Sequence, residues 1–363
     1  MASPDVASPS APAPTNQAPA PAADAATAAT GHARPRVFSG MQPTAALHVG
    51  NYVGALKHWV AGQHERDNVF CVVDLHALTI PEAVDPADLR AKSRAVAALY
   101  LAAGIDPEAS VVFVQSHVSE HAEASWLLGC VTPLGWLQRM TQFKSKTHGR
   151  ESIGSGLLTY PALMAADILL HDTDEVPVGE DQMQHVELTR DLAIRFHHLF
   201  GEVFVLPRAV IPTAGARVMA FDEPTAKMSK STASERAGHA VLLLDPPDVV
   251  RKTIMSAVTD SERETRFEHA SPGVRNLLTV WQALDGRPMA ALEAEVAGRG
   301  YGDLKKRVVE VVVAALAPIQ ARYAELMDDP AELDALLARG AERARATAAN
   351  TLARMRAAVG VGP

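Results

Sequence analysis

Residues 227–231 read Lys227-Met228-Ser229-Lys230-Ser231, two lysines three positions apart with serines beside them. Ammonium groups on flexible stems in such a loop can grip phosphates as they reorganise and stabilise the charge building on a leaving oxyanion. Upstream lies Leu47-His48-Val49-Gly50-Asn51, after the loop Gly40-Met41-Gln42-Pro43-Thr44. A helix opening near His48 offers unpaired backbone N–H groups and the positive end of its dipole to an anion. Gly50 leaves space for a ligand to approach that helix, and Asn51 can donate to an anionic oxygen. Either segment alone reads equally well as a capped surface helix or a solvated lysine loop, because five-residue matches occur by chance. Together, in this order and separated by an α/β pattern, they point to a triphosphate received at the helix and covered by the loop.

The elements that must position these residues alternate between strand and helix. Val37-Phe38-Ser39 is a short strand ending at Gly40, followed by a helix over residues 48–63. Val69-Phe70-Cys71-Val72-Val73 and Val111-Val112-Phe113-Val114 are near-continuous apolar runs, the mark of parallel strands covered on both faces. Asp85-Pro86 supplies an N-cap and a first-turn proline for a helix to about residue 103. Helices over 120–130, 157–170 and 181–199 and short strands near 175–178 and 203–205 complete the pattern. The fold class is α/β, a doubly wound parallel, Rossmann-type sheet with right-handed crossovers and a C-terminal helical domain. Past Pro247 the strands give way to helices over 247–257, 274–285, 288–298, 303–327 and 331–358, the last with a break expected at Gly340. Val308, Val311, Val312, Leu316 and Ile319 form an apolar stripe. Arg339, Arg343, Arg345 and Arg354 read as a solvated face.

The expected organisation is a disordered Ala/Pro-rich tail over 1–33, a catalytic domain over 34–222 continued by the lysine loop region 223–245, and a helical region 246–363. The tail has no basic start or apolar run for a secretory signal, and Asp5 and Asp24 argue against a mitochondrial presequence. No segment has the roughly 20 apolar residues a membrane span needs. A net charge of −8 speaks against a protein that coats nucleic acid indiscriminately, while leaving room for a local basic face. Two cysteines, Cys71 and Cys130, cannot alone build a zinc or iron–sulfur site and suit a reducing cytoplasm.

With these elements in place, the chain from about Val37 to its C-terminus resembles the class I aminoacyl-tRNA synthetases, and within them the tryptophanyl-tRNA synthetase family. The resemblance is carried by Phe38-Ser39-Gly40-Met41-Gln42-Pro43-Thr44, by Gly50-Asn51-Tyr52-Val53-Gly54-Ala55-Leu56 and by Arg139-Met140-Thr141-Gln142-Phe143-Lys144. Leu158-Thr159-Tyr160-Pro161, Met164-Ala165-Ala166-Asp167-Ile168-Leu169, Val176-Pro177-Val178-Gly179-Glu180-Asp181-Gln182 and the lysine loop complete it.

Tyr160, Met164 and Asp167 share one helix face by spacing alone. A core-lining face with a paired aspartate has the same spacing, and an unpaired buried carboxylate would be costly. The resemblance implies that Asp167 accepts the indole N–H of L-tryptophan, that Met164 is an apolar wall, and that Tyr160 and Gln182 lie near the substrate's ammonium. It adds Phe38, Gly40, His76, Val176 and Val178 to that pocket. Tyrosine enzymes tend to carry glutamine at the position of Met164, which favours tryptophan. For ATP the resemblance implies Gln42, Pro43, Thr44, Gly50 and Asn51 on the phosphate and adenosine side. Gly179, Glu180 and Asp181 would hold the ribose, and Val218 and Met228 the adenine, with Ser229 and Ser231 in the loop. Lys146, Lys227 and Lys230 form the cationic clamp, Asn51 acts with them in catalysis, and Mg²⁺ accompanies ATP. Lys144 is a weaker member, since Lys144 and Lys146 otherwise read as solvated lysines.

The implied reaction makes tryptophanyl-adenylate and pyrophosphate, then transfers tryptophan to tRNA(Trp). The implied partners are tRNA(Trp), L-tryptophan, ATP and a second copy of the chain, with no membrane and no DNA, and helical residues 246–363 reading the anticodon and supporting the dimer. Three other readings remain at this point: a tyrosine-specific paralogue, a small-molecule adenylyltransferase, and a non-catalytic RNA-binding paralogue. The Met164 face disfavours the first and the long helical appendage the second. Lys227, Lys230 and Asn51 together disfavour the third.

Overall fold

Segments rich in β-branched and aromatic residues, all before residue 211, form five strands. They are β1 (Arg36–Met41), β2 (Asp67–Val72), β3 (Val111–Val114), β4 (Glu175–Pro177) and β5 (Arg208–Val210). All pair in parallel, in the order β3-β2-β1-β4-β5. The computed structural model describes residues 32–44, 46–147, 152–179, 182–211, 218–228, 232 and 236–362. The expected disordered tail therefore lies outside the described residues, apart from its last positions. Residues Ala33–Pro363 make one compact unit.

The side-chain period of two explains the burial of β2 and β3 on both faces. Phe70, Val72, Val112 and Val114 enter one apolar cluster, while Val69, Cys71, Val111 and Phe113 enter the other. The helices covering these faces include α1 (Val49–Asn51), α2 (Lys57–Gly62) and α3 (Pro86–Ala102). Further along come α4 (Glu120–Val131), α5 (Leu134–Arg139), α6 (Thr141–Thr147), α7 (Ser155–Leu169) and α8 (Met183–Phe200). Asp85 caps α3 through its side chain, as Asp85-Pro86 predicts. Between α1 and α2 the chain winds as a wider π-type turn, Tyr52–Leu56, so the expected single helix is three consecutive segments.

One expected strand falls elsewhere. The strand expected near 203–205 lies instead at β5, Arg208–Val210. The Phe204 N–H is taken by Nε2 of His197 at the end of α8, whereas Arg208 N–H reaches the Asp174 carbonyl at the start of β4. The helices α5 and α6 are also additions, each too short for a periodic signal.

The C-terminal half forms α9 (Pro247–Met255), α10 (Pro272–Asp285), α11 (Met289–Val296), α12 (Tyr301–Asp328) and α13 (Pro330–Val359). Val308, Val312, Leu316 and Ile319 of the expected stripe are buried in α12, with Val311 partly so. The break expected at Gly340 does not occur, because α13 runs unbroken through it. Gly340 serves close approach instead: a Cβ there would sit 1.8 Å from the Val112 carbonyl oxygen of β3. Helix α13 thus lies against the edge strand and keeps its backbone from pairing elsewhere.

The arginines expected on its solvated face are exposed, but several also bond within the chain. Arg343 donates to the carbonyls of Pro107 and Ser110, Arg345 to that of His117, and Arg354 to the Asp172 carboxylate. Arg356 pairs with Glu123 and pulls that carboxyl below its usual pKa. Arg339 is exposed. The interactions that exist at these positions anchor α13 to the loops before and after β3 and to α4.

Because the Gly340 contact is with backbone, Gly340→Ala should destabilise the fold by about 2–3 kcal/mol or more, as overpacking does. A denaturant titration should show a lower midpoint, and an unchanged midpoint would contradict the close approach.

Candidate active site

In an open parallel sheet, ligands bind beyond the carboxyl ends of the strands where the strand order reverses. Here the reversal falls between β1 and β4, which pair through Val37 and Glu175. A cavity of about 450 Å³ opens at that point. Phe38, Ser39 and Gly40 from β1 line it, facing Val176, Pro177 and Val178 at the end of β4. Tyr160, Met164, Asp167 and Ile168 come from α7, and His76 and Thr79 from the turn Leu75–Thr79. All nine residues that the resemblance links to tryptophan line this one cavity, Gln182 among them. Gln42, Lys146 and Gly179 of the nucleotide set line it too.

Asp167 is 1% exposed, so its charge must be met by donors. Oδ1 accepts from Gln115 Nε2 at 2.6 Å and His121 Nδ1 at 2.7 Å, and Oδ2 from His76 Nε2 at 2.8 Å. Burial alone would raise its pKa, but the hydrogen bonds from His121 and His76 bring it down to about 2. An ionised carboxylate has about four acceptor positions. Three are filled, and the fourth belongs to Oδ2, the oxygen bound by the cavity residue His76.

Tyr160 adds a second polar point. Its hydroxyl donates to Gln142 Oε1 at 3.2 Å and lies 2.7 Å from His185 Nε2. Burial pushes the phenol up to about 12, so it stays neutral. The Lys146 ammonium lies 5.6 Å from the Tyr160 ring centre. The residue is exposed overall, while desolvation of its charged end at the cavity mouth lowers its pKa.

The helix after the β1 loop has reciprocal capping. His48 Nδ1 accepts from the Asn51 N–H at 3.3 Å, and Asn51 Oδ1 accepts from the His48 N–H at 3.1 Å. This arrangement places the His48 ring proton on Nε2 and leaves the Asn51 amide Nδ2 as a donor. Gly50 is needed for it, because a Cβ there would lie 3.0 Å from His48 Nδ1 and 3.5 Å from Met228 Sδ. Met228 brings the two phosphate-type motifs within contact range. They are also joined by backbone: Val49 N–H donates to the Val241 carbonyl, and Leu243 N–H to that of Leu47.

The start of the lysine loop is held by further bonds. Asn276 on α10 accepts from the Met219 N–H and donates to its carbonyl, both at 2.8 Å. Met219 bridges Lys227, which is exposed. Asp222 is gripped by His239 and Arg236. Pro43, Thr44, Gly50, Asn51, Val218, Lys227 and Met228 are not part of the cavity lining, and Val218 and Met228 are buried. Glu180, Asp181, Ser229, Lys230 and Ser231 lie outside the described residues.

Sequence reasoning missed several cavity residues, among them Ser39, Trp59, Val73, Thr79 and Ile168. Ser39 is notable because its buried Oγ has no hydrogen-bond partner among the described residues. It also missed Gln115, His121 and His171 behind Asp167. Nothing in their local sequence marks them, since each reaches the site across the fold. Among the described residues, no group of three or more His, Cys, Asp or Glu side chains could hold a metal ion. Among them too, no helix is long and apolar enough to cross a membrane.

A parallel sheet with its cavity at the switch point and a capped helix start after β1 is the frame of a nucleotide-binding α/β protein. The chain belongs to the class I tRNA synthetases (W and Y), whose family model matches residues 30–317. Within that family, its relatives include the tryptophan–tRNA ligase of Leifsonia xyli subsp. xyli, 55% identical over 330 residues, covering 90% of this chain and 97% of that one. The tryptophan–tRNA ligase of Bacillus subtilis is 50% identical over 327 residues, 90% of this chain and 98% of that one. Among solved structures, tryptophanyl-tRNA synthetase from Campylobacter jejuni, complexed with ADP and tryptophan, aligns with a TM-score of 0.79 at 36% identity. That alignment covers 90% of this chain and all of the other.

Gly50→Ala should press on the His48 ring and disturb the capped N-terminus. The expected result is a KM for ATP raised roughly tenfold, about 1.4 kcal/mol, with KM for the amino acid little changed. Steady-state kinetics with each substrate varied in turn would check this.

Proposed function

We infer that the protein is a tryptophan–tRNA ligase that forms tryptophanyl-adenylate from L-tryptophan and ATP, then esterifies tRNA(Trp). The observation that carries this reading is the buried, ionised Asp167 facing a cavity of mixed polar and apolar walls at the sheet's switch point. Indole N–H is a donor only, and a carboxylate with one acceptor position left is its complement. Met164, Val176, Val178 and Phe38 supply apolar walls for the rings. Tyr160 and Gln182 lie where the amino acid's ammonium would be held. Phenylalanine lacks the donor, and a site built around a buried polar partner rejects such an analogue by on the order of 10⁴–10⁵.

ATP enters as its Mg²⁺ complex, the metal carried by its phosphates. Its phosphates meet the N–H groups and Asn51 at the helix start, with adenine against Val218 and Met228 and ribose on the 179–181 stretch. The tryptophan carboxylate, already ionised at neutral pH, attacks the α-phosphorus, and the bond to the bridging oxygen of pyrophosphate breaks. No general base is required, so catalysis is positioning together with charge stabilisation. Lys146, Lys227 and Lys230 gather the charge on the departing pyrophosphate, more strongly in the transition state than in the ground state. A terminal ribose hydroxyl of the tRNA then attacks the adenylate carbonyl, releasing AMP.

The protein acts in the cytoplasm as a homodimer. Support for a dimer comes from Trp126 (72% exposed) on α4, Leu134 on α5, and Ile194 and Leu199 on α8, which packs beside α4. Large apolar residues clustered on a surface mark an interface. The helical region 246–363 reads the anticodon. Since Arg343, Arg345 and Arg354 are engaged within the chain, that contact falls to other exposed cations, Arg339 among them.

Amino-acid-dependent ATP–pyrophosphate exchange tests the reading, with tryptophan expected to support exchange and tyrosine and phenylalanine not. Exchange with tyrosine would overturn the amino-acid assignment, and none at all would remove the ligase. Asp167→Ala should raise KM for tryptophan far more than for ATP, and an unchanged preference over phenylalanine would sink the pocket assignment. Lys230→Ala should slow adenylate formation with tryptophan affinity little affected. Single-turnover burst rates of adenylate would check it.

A further inference from the structure

Four histidines are buried around α7, and three of them, His121, His171 and His185, do not line the cavity. His121, on α4, is 0% exposed and donates from Nδ1 to Asp167 Oδ1. The carboxylate is ionised and can only accept, so the His121 proton on that side is fixed at Nδ1. Its other nitrogen, Nε2, lies 3.4 Å from His171 Nε2. His171 stacks on Phe38 at 5.7 Å and meets the edge of Phe113 at 5.6 Å, which wedges the pair of rings behind the cavity wall. Burial and the neighbouring His121 lower the His171 pKa well below its usual value, so His171 is neutral.

We propose that His121 is a specificity-determining positioning residue for the amino acid. With Gln115 it occupies both acceptor positions of Asp167 Oδ1, turns the carboxylate, and leaves Oδ2 as the only oxygen offered to the ligand's N–H. The proposal rests on the reading of Asp167 as the indole acceptor.

The charged and titratable groups around Asp167 are few. His76 faces it from the turn Leu75–Thr79, His121 from α4 and His171 from the end of α7, while Cys71 lies on β2 with Asp74 beyond it. The Cys71 thiol is pushed up by burial and by Asp167 and Asp74, so it stays protonated. Arg36 acts on His171, and His185 on α8 faces Tyr160 instead. Removing the His121 donor therefore leaves burial less opposed, and the Asp167 pKa must rise. Below the raised value the carboxyl is protonated, and the acceptor that tryptophan needs is weakened.

The test is pyrophosphate exchange from about pH 4.5 to 8, a window reaching down toward the ordinary carboxylate range, using wild type, His121→Leu and His121→Asn. Each is assayed with tryptophan and with its benzothiophene analogue, in which sulfur replaces the indole N–H. For His121→Leu, the ratio of its tryptophan KM to that of wild type should grow as pH falls, roughly tenfold per unit below the raised pKa. Its kcat with tryptophan and its KM for the analogue should stay close to wild type. His121→Asn, whose Nδ2 replaces the Nδ1 donor, should restore the wild-type profile. Gln115→Met removes the other Oδ1 donor and should show the same tryptophan-only, acid-dependent rise if His121→Leu is recovered insoluble.

A KM raised equally for both ligands at every pH would make His121 a packing residue and overturn the proposal. So would an Asn variant that behaves like Leu. A wild-type enzyme that uses the analogue as well as tryptophan would instead remove the reading of Asp167, which separates the two failures.

Discussion

The position of β1 in the middle of the sheet is the constraint on which the site depends. It pairs along its whole length with β2 and by a single register with β4, so the chain leaves in opposite directions on its two sides. The cleft between those directions is the cavity. Arg36 holds this geometry at the other end of the strand, bonding Asp67 at the start of β2, the Asp174 carboxylate before β4 and the His171 carbonyl. One strand start thus bonds to the starts of both neighbouring strands.

The two halves of the site are built by different physics. The amino-acid side rests on a buried anion that would be prohibitive without partners, so residues from three separate segments converge on Asp167. Such a network is rigid because moving any member leaves charge unpaired. The nucleotide side uses backbone N–H groups, a glycine and a reciprocal cap, with the lysines on a loop whose base is fastened by Asn276 and Asp222. A fixed pocket for the amino acid and a lysine loop tethered at its base would suit the proposed reaction, whose charge moves onto pyrophosphate.

The helical half serves the sheet as well as standing beside it. Lys57 on α2 donates to the carbonyls of Ala283 and Leu284 and so satisfies the end of α10, the helix that also carries Asn276. Helix α13 returns to the far edge of the sheet, where Gly340 lets it touch β3 and its arginines bind loop carbonyls. Helical and strand regions are therefore coupled at both the lysine loop and the β3 edge.

Much of this was legible in the chain. The apolar runs of β2 and β3, the Asp85-Pro86 start of α3, and the helical face of Tyr160, Met164 and Asp167 follow from local spacing, and local spacing was enough. The strand near 203–205 and the break at Gly340 were misread because a pairing partner and a close backbone contact decided them. Phe204 gave its N–H to His197, and Gly340 met Val112. The arginines of α13 look solvated in sequence, since nothing local announces a carbonyl more than 200 residues away. Gln115, His121 and His171 were invisible for the same reason. The sequence by itself determined the strand–helix alternation, the glycine at the helix start and the helix face carrying Asp167, because each depends on neighbours within a turn or a strand. Only the tertiary structure decided how Asp167 keeps its charge, because burying an anion is settled by donors that distant segments bring to it.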